Sequence, residues 1–455
     1  MNDGNYLVFL GAFSPEGDNY IIGRAIINTN GEMIANSWNI DETGRLHNGW
    51  DNSSTKIPSG YISSGSKTWF GQIYEDLITL NRYDEQGELM WMRFYGDSIN
   101  QSIGRAATRQ SDGTLAATGS ISQSSSDVDG FLLLTDSLGE QIDMRFYGGV
   151  GTQDFISIYP TSDGGYVMGG MAWVAVDKKS HYIVKTDGLG NHQWTRILGT
   201  PLDDCWASVI QTSDDNYVFC GCLNAELPNI YYKRLFMAKL GPTGQPIWQN
   251  TYQDHYSDNH QLRTVKEMNN GDLVACGYAY GASRGVLLRT DADGNELWYR
   301  EYAHPSQPGI GYPHLVYDFI QEDDGGFVAT GWLWSPPNGD LPGQDLWVFR
   351  TDSMGCLVPG CHLTDNITMH ANEVAVSLYP NPVQNQLSVH IKAGDLPEGA
   401  TIELYDMQGR QHLSTLLEPG ARTYIIDMRH YASGVYLLHC LTPTEMLWTG
   451  KVLKD

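Results

Sequence analysis

Basic side chains are scarce in this sequence. Its 28 Lys and Arg face 53 Asp and Glu, a formal net charge of −25. A nucleic-acid binder needs a basic surface to offset phosphate charge, so that class is excluded. Cysteine is sparse as well. Seven cysteines without paired C-x-x-C spacing give neither a disulfide scaffold nor a structural zinc site. No apolar run approaches the ~20 residues that cross a bilayer. The opening MNDGNYLVFLGAF is short, carries an acid and lacks a basic start, so it does not read as a secretory leader. Neither an HExxH helix nor a G-x-S-x-G elbow occurs.

What the sequence does contain is glycine and aromatic residues: 50 Gly, 26 Tyr and 13 Trp. That profile suits short strands joined by tight turns. Two markers recur in one order along the chain. The first is a polar turn, a short apolar run and a glycine, as in DGGYVMGG. Its glycines are Gly11, Gly65, Gly119, Gly170, Gly221, Gly277 and Gly331, spaced 51 to 56 residues apart. The second is D-x-x-G: Asn28–Gly31, Asp84–Gly87, Asp136–Gly139, Asp187–Gly190, Gly241–Gly244, Asp291–Gly294 and Asp352–Gly355. In four copies a Trp follows that glycine by four residues: Trp91, Trp194, Trp248 and Trp298. A fixed period near 50 residues marks a repeat architecture. Each unit reads as four short strands with tight turns after the first and the third. Such a meander cannot bury both faces alone, and stacking units radially gives a β-propeller. The count favours seven blades over six or eight. The first unit begins at its second strand, so the reading expects an N terminus that is truncated or has lost a leader.

The small residue before the repeat glycine includes Cys220 and Cys276, which read as packing at a crowded position. Cys356 and Cys361, in GCLVPGC, suggest a loop-closing disulfide.

The repeat ends near Pro359. The propeller is assigned to 1–357, a polar linker to 358–372 and a second domain to 373–455. QLSVHIK, TIELYD, TYIIDM and GVYLLHC are strands there, which reads as a small Ig-like antiparallel β-sandwich. Its motifs are LYPNPV (378–383), LYDMQGR (404–410), ASGVYLL (432–438) and the terminal KVLKD (451–455). In order, spacing and position at the chain end they resemble the type A C-terminal sorting domain of type IX secretion in Bacteroidetes. The matching residues are Tyr379, Pro380, Asn381, Pro382, Tyr405, Asp406, Gly409, Gly434, Tyr436 and Lys451. The resemblance implies an address: recognition by the outer-membrane translocon, removal by a sortase-like protease, and release or attachment at the cell surface. The body likewise resembles the repetitive β-propellers exported by this system.

In a propeller the DGG and D-x-x-G turns fall on one face and the longer connections on the other. Function favours variable loops on a rigid scaffold. Trp173, Trp206, Tyr231, Tyr232, Tyr278, Tyr280, Tyr312, Trp332 and Trp334 fall on the long-loop side. Aromatic rings there suit stacking on sugars or anchoring a protein partner, and equally suit packing between blades. His255, His260, His304 and His314 lie nearby with Asp254 and Asp258, without metal-ligand spacing. DADGNE (291–296) resembles half a calcium loop but occupies a turn slot. GYISSGSKT (60–68) falls short of a phosphate loop because Ser66 displaces the Lys. D-x-x-G-x-x-x-W resembles the tryptophan motif of quinoprotein propellers, one residue too short and without a vicinal cysteine pair. Asp97-Ser98-Ile99, Asp136-Ser137-Leu138 and Asp352-Ser353-Met354 resemble an O-glycosylation sequon, and the last two also fit as turns. Asp203 and Asp204 would serve glycoside chemistry only with a third acid ~5–9 Å away. No residue stands out as catalytic, and no metal or cofactor is expected. The pattern points to an exported, non-enzymatic module that binds glycan or protein. A polysaccharide hydrolase or lyase on the long-loop face is the alternative.

Overall fold

A computed structural model describes residues 4–13, 20–29, 31–39, 44–48, 53–69, 76–96, 101–124, 127–175, 178–227, 230–252, 260–279, 283–304, 313–335, 343–357, 368–369, 376–391, 400–406, 410–417, 422–441 and 445–454. Every helix or strand element among them is a strand. They fall into two compact units, Met1–Ile320 with Ala329–Phe349 and Gln321–Val328 with Arg350–Asp455.

The repeat forms consecutive antiparallel meanders. The fourth sheet is typical: Gln153–Pro160, Tyr166–Ala175, Lys178–Thr186 and His192–Leu198, each paired with the next. The third runs from Ser102 to Tyr147, the fifth from Ser208 to Tyr252 and the sixth from His260 to Tyr302, in the same four-stranded order. In the second, Gly44–Asn48 and Ser54–Ile57 both pair with Gly60–Trp69 before Asp76–Tyr83 and Leu89–Tyr95 follow. The first (Tyr6–Phe13, Tyr20–Ile27, Met33–Asn39) and the seventh (His314–Gln321, Phe327–Ser335, Gly343–Thr351) have three described strands each.

Burial orders the strands within a sheet. The first strand is nearly all buried, as in Gln153–Pro160, whereas the last, as in Gln141–Tyr147, is largely exposed. First strands of the third to sixth sheets touch one another in succession. Apolar side chains fill the spaces between consecutive sheets. Leu132, Leu134, Phe155 and Met168 join the third to the fourth. Val167, Ile183, Val209 and Phe236 join the fourth to the fifth. Cys220, Met237, Leu262 and Val286 join the fifth to the sixth. Sheets that converge on their first strands and splay at their last are consistent with a propeller.

Both sequence markers have a local cause. The ladder between the first two strands shifts beside Gly170, where Phe155 pairs with Gly170 but Ser157 with Gly169. This bulge pushes the Asp154 carbonyl onto Gly170, so a Cβ there would collide with backbone. Gly119 and Gly277 meet the carbonyls of Ile103 and Gln261 in the same way. The preceding small residue sits where neighbouring sheets approach, since a Cβ on Gly169 would meet the Ala207 carbonyl of the next sheet. At the second marker, Asp187 Oδ1 accepts the backbone N–H of Leu189 (2.9 Å) and Asn191 (2.8 Å), closing the turn, and Gly190 holds φ at 76°. That turn rests on the outer strand of the preceding sheet. Tyr147 donates to the Gly190 carbonyl at 2.6 Å, and Tyr95 and Tyr252 do the same for Gly139 and Gly294. Trp194 donates from Nε1 to the Pro242 carbonyl at 3.0 Å. The ring contact recurs: Trp91, Trp194 and Trp248 lie against the turn glycine of the following sheet, where a Cβ on Gly139, Gly244 or Gly294 would meet them.

Cys220 and Cys276 are fully buried, as packing requires. Cys356 is disulfide-bonded, while its expected partner Cys361 lies outside the described residues. A second bridge, Cys205–Cys222, has no counterpart in the sequence reading.

His181 is fully buried between the fourth and fifth sheets and stacks on Phe236 with centroids 5.3 Å apart. Burial pushes its imidazole down from 6.5 to about 4, against a smaller opposing effect of the Cys222 and Leu198 backbone. The unfolded chain takes up this proton first. The contribution to stability is complete above pH ~6.5 and is lost as the pH falls to about 4, an effect of about 3 kcal/mol. Urea denaturation across that range should show this slope, and His181→Gln should remove it.

The second unit packs two sheets. One contains Glu445–Lys454, Gly434–Leu441, Thr401–Asp406 and Gln411–Leu416, with Thr368–Met369 parallel to the last strand of the chain. The other contains Val376–Tyr379, Gln386–Ile391 and Thr423–Asp427. Val383, Leu387, Val389, Leu404, Leu438 and Val452 fill the space between them.

Candidate functional site

The registers place the DGG and D-x-x-G turns at one end of each sheet. The opposite, upper end carries the start of the first and third strands and the end of the second. There the fourth to seventh sheets share a row in which rings and cations alternate. Trp173 lies near the end of the second strand of the fourth sheet and is 37% exposed. Lys179, at the start of the third strand, holds Nζ 5.5 Å from the Trp173 ring centroid and 6.0 Å from that of Trp206. On the other side of the row, the Arg263 guanidinium lies 5.9 Å from Trp206, 6.0 Å from Tyr278 and 5.3 Å from Tyr317. Trp332 closes the row, donating from Nε1 to the Tyr317 hydroxyl at 2.8 Å. These distances lie in the range of cation–π attraction.

Local structure explains the positions. Arg263 is the residue skipped between the pairs Leu262–Gly277 and Thr264–Cys276, so the bulge that requires the repeat glycine also carries Arg263. The side chain is buried, and Gln261 accepts the Tyr278 hydroxyl beside it at 2.8 Å. Trp206 sits in the irregular segment before Ser208, next to the Cys205–Cys222 bridge. That bridge ties the segment to the second strand of the fifth sheet.

Asp203 lies 3.6 Å from Lys179 Nζ and 3.5 Å from Lys233 Nζ. Asp204 turns inward and accepts the backbone N–H of Thr200 (2.6 Å) and Asn224 (2.8 Å). Burial raises its carboxyl, and these bonds oppose the rise. Asp204 is thus held by backbone while Asp203 faces two lysines, an arrangement unlike the open carboxylate pair of a glycosidase.

Of the aromatic candidates, Trp173, Trp206, Tyr278 and Trp332 meet in the row. Trp334 is exposed at the end of the same strand as Trp332. Tyr231 and Tyr232 lie on Ile230–Leu240, opposite Glu226 and Ala225. Tyr280 and Tyr312 lie outside the described residues, as do His255, Asp254 and Asp258. His260 and His314 are buried, and His314 Nδ1 lies 2.8 Å from the Ser283 carbonyl oxygen. Among the described residues no group of His, Cys, Asp or Glu could hold a metal ion. Lys179, Arg263 and Tyr317 escaped the sequence reading, because nothing linear distinguishes them. Only phase with the repeat marks Arg263, which shares its bulge position with Arg105 of the third sheet.

In the second unit, Asn381 clasps the last strand. Its Nδ2 donates to the Lys451 carbonyl at 2.7 Å and its Oδ1 accepts the Leu453 N–H at 2.7 Å. Pro380 and Pro382 flank it, and Tyr379 is exposed. Asp406 accepts Arg410 Nε (2.7 Å) and lies 2.8 Å from His412 Nε2. Tyr405 donates to Glu403, and Tyr436 to the Ala432 carbonyl at 2.9 Å, two residues before Gly434 opens its strand. Gly409 lies outside the described residues. Asn381→Ala removes both clasp bonds, an expected loss of about 2 kcal/mol for this unit. The secreted fraction, measured in culture supernatant by immunoblot, should fall accordingly.

Residues 377–454 match the family of secretion system C-terminal sorting domains. The chain therefore carries a type IX sorting domain, which places the protein outside the cell or at its surface. No helix among the described residues is long and apolar enough to cross a membrane. No curated protein matches the chain. Among solved structures it is similar to a polysaccharide lyase, ulvan lyase, at 10% identity and a TM-score of 0.46, covering 77% of this chain and 94% of the lyase. A protein of unknown function from Dyadobacter fermentans gives 10% identity and 0.43, over 68% and 95%. An acylaminoacyl peptidase from Pyrococcus horikoshii gives 11% and 0.40, over 86% and 56%. Similarity at that level carries no function across.

Proposed function

We propose that this secreted cargo is a binding protein whose ligand, a glycan or a protein surface, lies along the ring-and-cation row at the upper ends of the sheets. One observation carries the reading: rings and cations from four successive sheets, far apart in sequence, converge at the end opposite the tight turns. In this proposal residues 1–357 form a closed seven-bladed propeller, 358–372 a linker and 373–455 a removable export label, cut by a sortase-like protease after translocation. The rings supply apolar faces of low conformational entropy, and the bulged strands hold them rigidly. Asp204 held by backbone and Asp203 facing two lysines favour binding over glycoside hydrolysis.

A glycan and protein array probed with the full chain tests the reading. Trp173→Ala should lower the strongest signal roughly tenfold, about 1.4 kcal/mol. An unchanged signal, or no signal on either array, would refute it.

A further inference from the structure

The chain carries a net charge of −25, so an acidic ligand is repelled from most of its surface. The row is different. Lys179, Lys233 and Arg263 gather at the ends of the fourth to sixth sheets. Lys179 and Lys233 share one carboxylate, Asp203, at distances beyond those of a strong charge-assisted hydrogen bond. Asp204, the adjacent acid, is occupied by the backbone of Thr200 and Asn224. Both lysine side chains remain partly open to solvent, each 28% exposed. Lys179 stands beside the exposed Trp173, and Lys233 joins Lys179 at Asp203, whereas Arg263 is buried against the rings of Trp206, Tyr278 and Tyr317.

From this arrangement we infer that the ligand is an anionic polysaccharide, a chain of sugar rings bearing carboxylate or sulfate groups. Trp173 and Trp206 take the sugar faces. Lys179 and Lys233 take the acid group, which competes with Asp203 for them. The ring faces distinguish this ligand from a simple acidic peptide, and the paired lysines distinguish it from a neutral glycan. The inference rests on the binding function proposed above and narrows it.

Affinity electrophoresis of the full chain tests it, in gels containing polygalacturonate, dextran sulfate, uncharged dextran or poly-glutamate. Retardation by polygalacturonate or dextran sulfate, and not by dextran or poly-glutamate, is the expected outcome. Whichever of the two retards more identifies carboxylate or sulfate as the acid group. The double variant Lys179→Gln/Lys233→Gln should bind at least tenfold more weakly, and Trp173→Ala likewise. Retardation by dextran that depends on Trp173 but not on the lysines would overturn the charge inference while keeping the row as a glycan site. Retardation by poly-glutamate equal to that by the acidic sugars would overturn the sugar. Absence of retardation in every gel would overturn the inference; if Trp173→Ala also leaves the array signal unchanged, the binding reading fails with it.

Discussion

Replacing Asp163 by Ala should destabilise the protein by about 3–5 kcal/mol, because it leaves a buried ammonium group without its counter-charge. Lys185 is 1% exposed. Its Nζ donates to Asp163 Oδ2 (2.8 Å) and Oδ1 (3.0 Å), to the Thr186 carbonyl (2.8 Å) and to Gln193 Oε1 (3.1 Å). Partial burial tends to raise the Asp163 carboxyl, but the hydrogen bonds from Lys185, Thr161 and Gly165 hold it below the ordinary carboxylate range. The pair therefore stabilises fully above that range and weakens as the pH falls through it. Lys185→Met removes the charge and keeps the volume, so it should cost much less, within about 1 kcal/mol of the parent. Equilibrium urea unfolding of both variants checks the contrast, and near-equal losses would contradict it. The same arrangement recurs as Lys239–Asp214 at 2.7 Å and Arg289–Asp272 at 2.7 Å.

Gly170→Val should cost at least about 3 kcal/mol, since the new side chain meets backbone that a sheet interior cannot move. A Cβ at Gly170 would collide with the Asp154 carbonyl and the Phe155 Cα. Gly164 is the control. It holds φ at 84° with nothing within 4 Å of a Cβ, so Gly164→Asn should cost less than about 1 kcal/mol. Thermal unfolding followed by tryptophan fluorescence separates the two, and equal melting shifts would mean that the bulge does not select the glycine.

The fold was largely legible because each tight turn needs its residue locally. Asp187 and Gly190 are dictated by the hydrogen bonds and the positive φ of four residues, and such demands survive as a sequence pattern. The ion pair was legible in principle too. A Lys or Arg stands two residues before the second marker at Arg82, Lys185, Lys239, Arg289 and Arg350, in phase with the repeat. In the second sheet, where Ser59 stands in the turn, Arg82 donates instead to the Ser59 carbonyl at 2.8 Å. The row was legible only in its aromatic members. Trp173, Trp206 and Trp332 stand out by residue type; Lys179 faces Trp173 across one hairpin, but Lys179 and Arg263 meet at Trp206 only when the fourth, fifth and sixth sheets are stacked. The Cys205–Cys222 bridge was hidden for the same reason: it joins an irregular segment to the middle of a strand, and nothing in the 17-residue separation announces it. The export label was legible because its function is to be read, and Asn381 shows what its motif does structurally.

Oxidative footprinting of the full chain, with and without saturating acidic polysaccharide, addresses the ligand's position on the sheets directly. Trp173, Trp206 and Trp332 should lose reactivity when the polysaccharide is bound, while Trp38, Met90, Phe94 and Phe146 on the exposed outer strands keep theirs. Protection of the outer strands, with the row unchanged, would contradict the site described above.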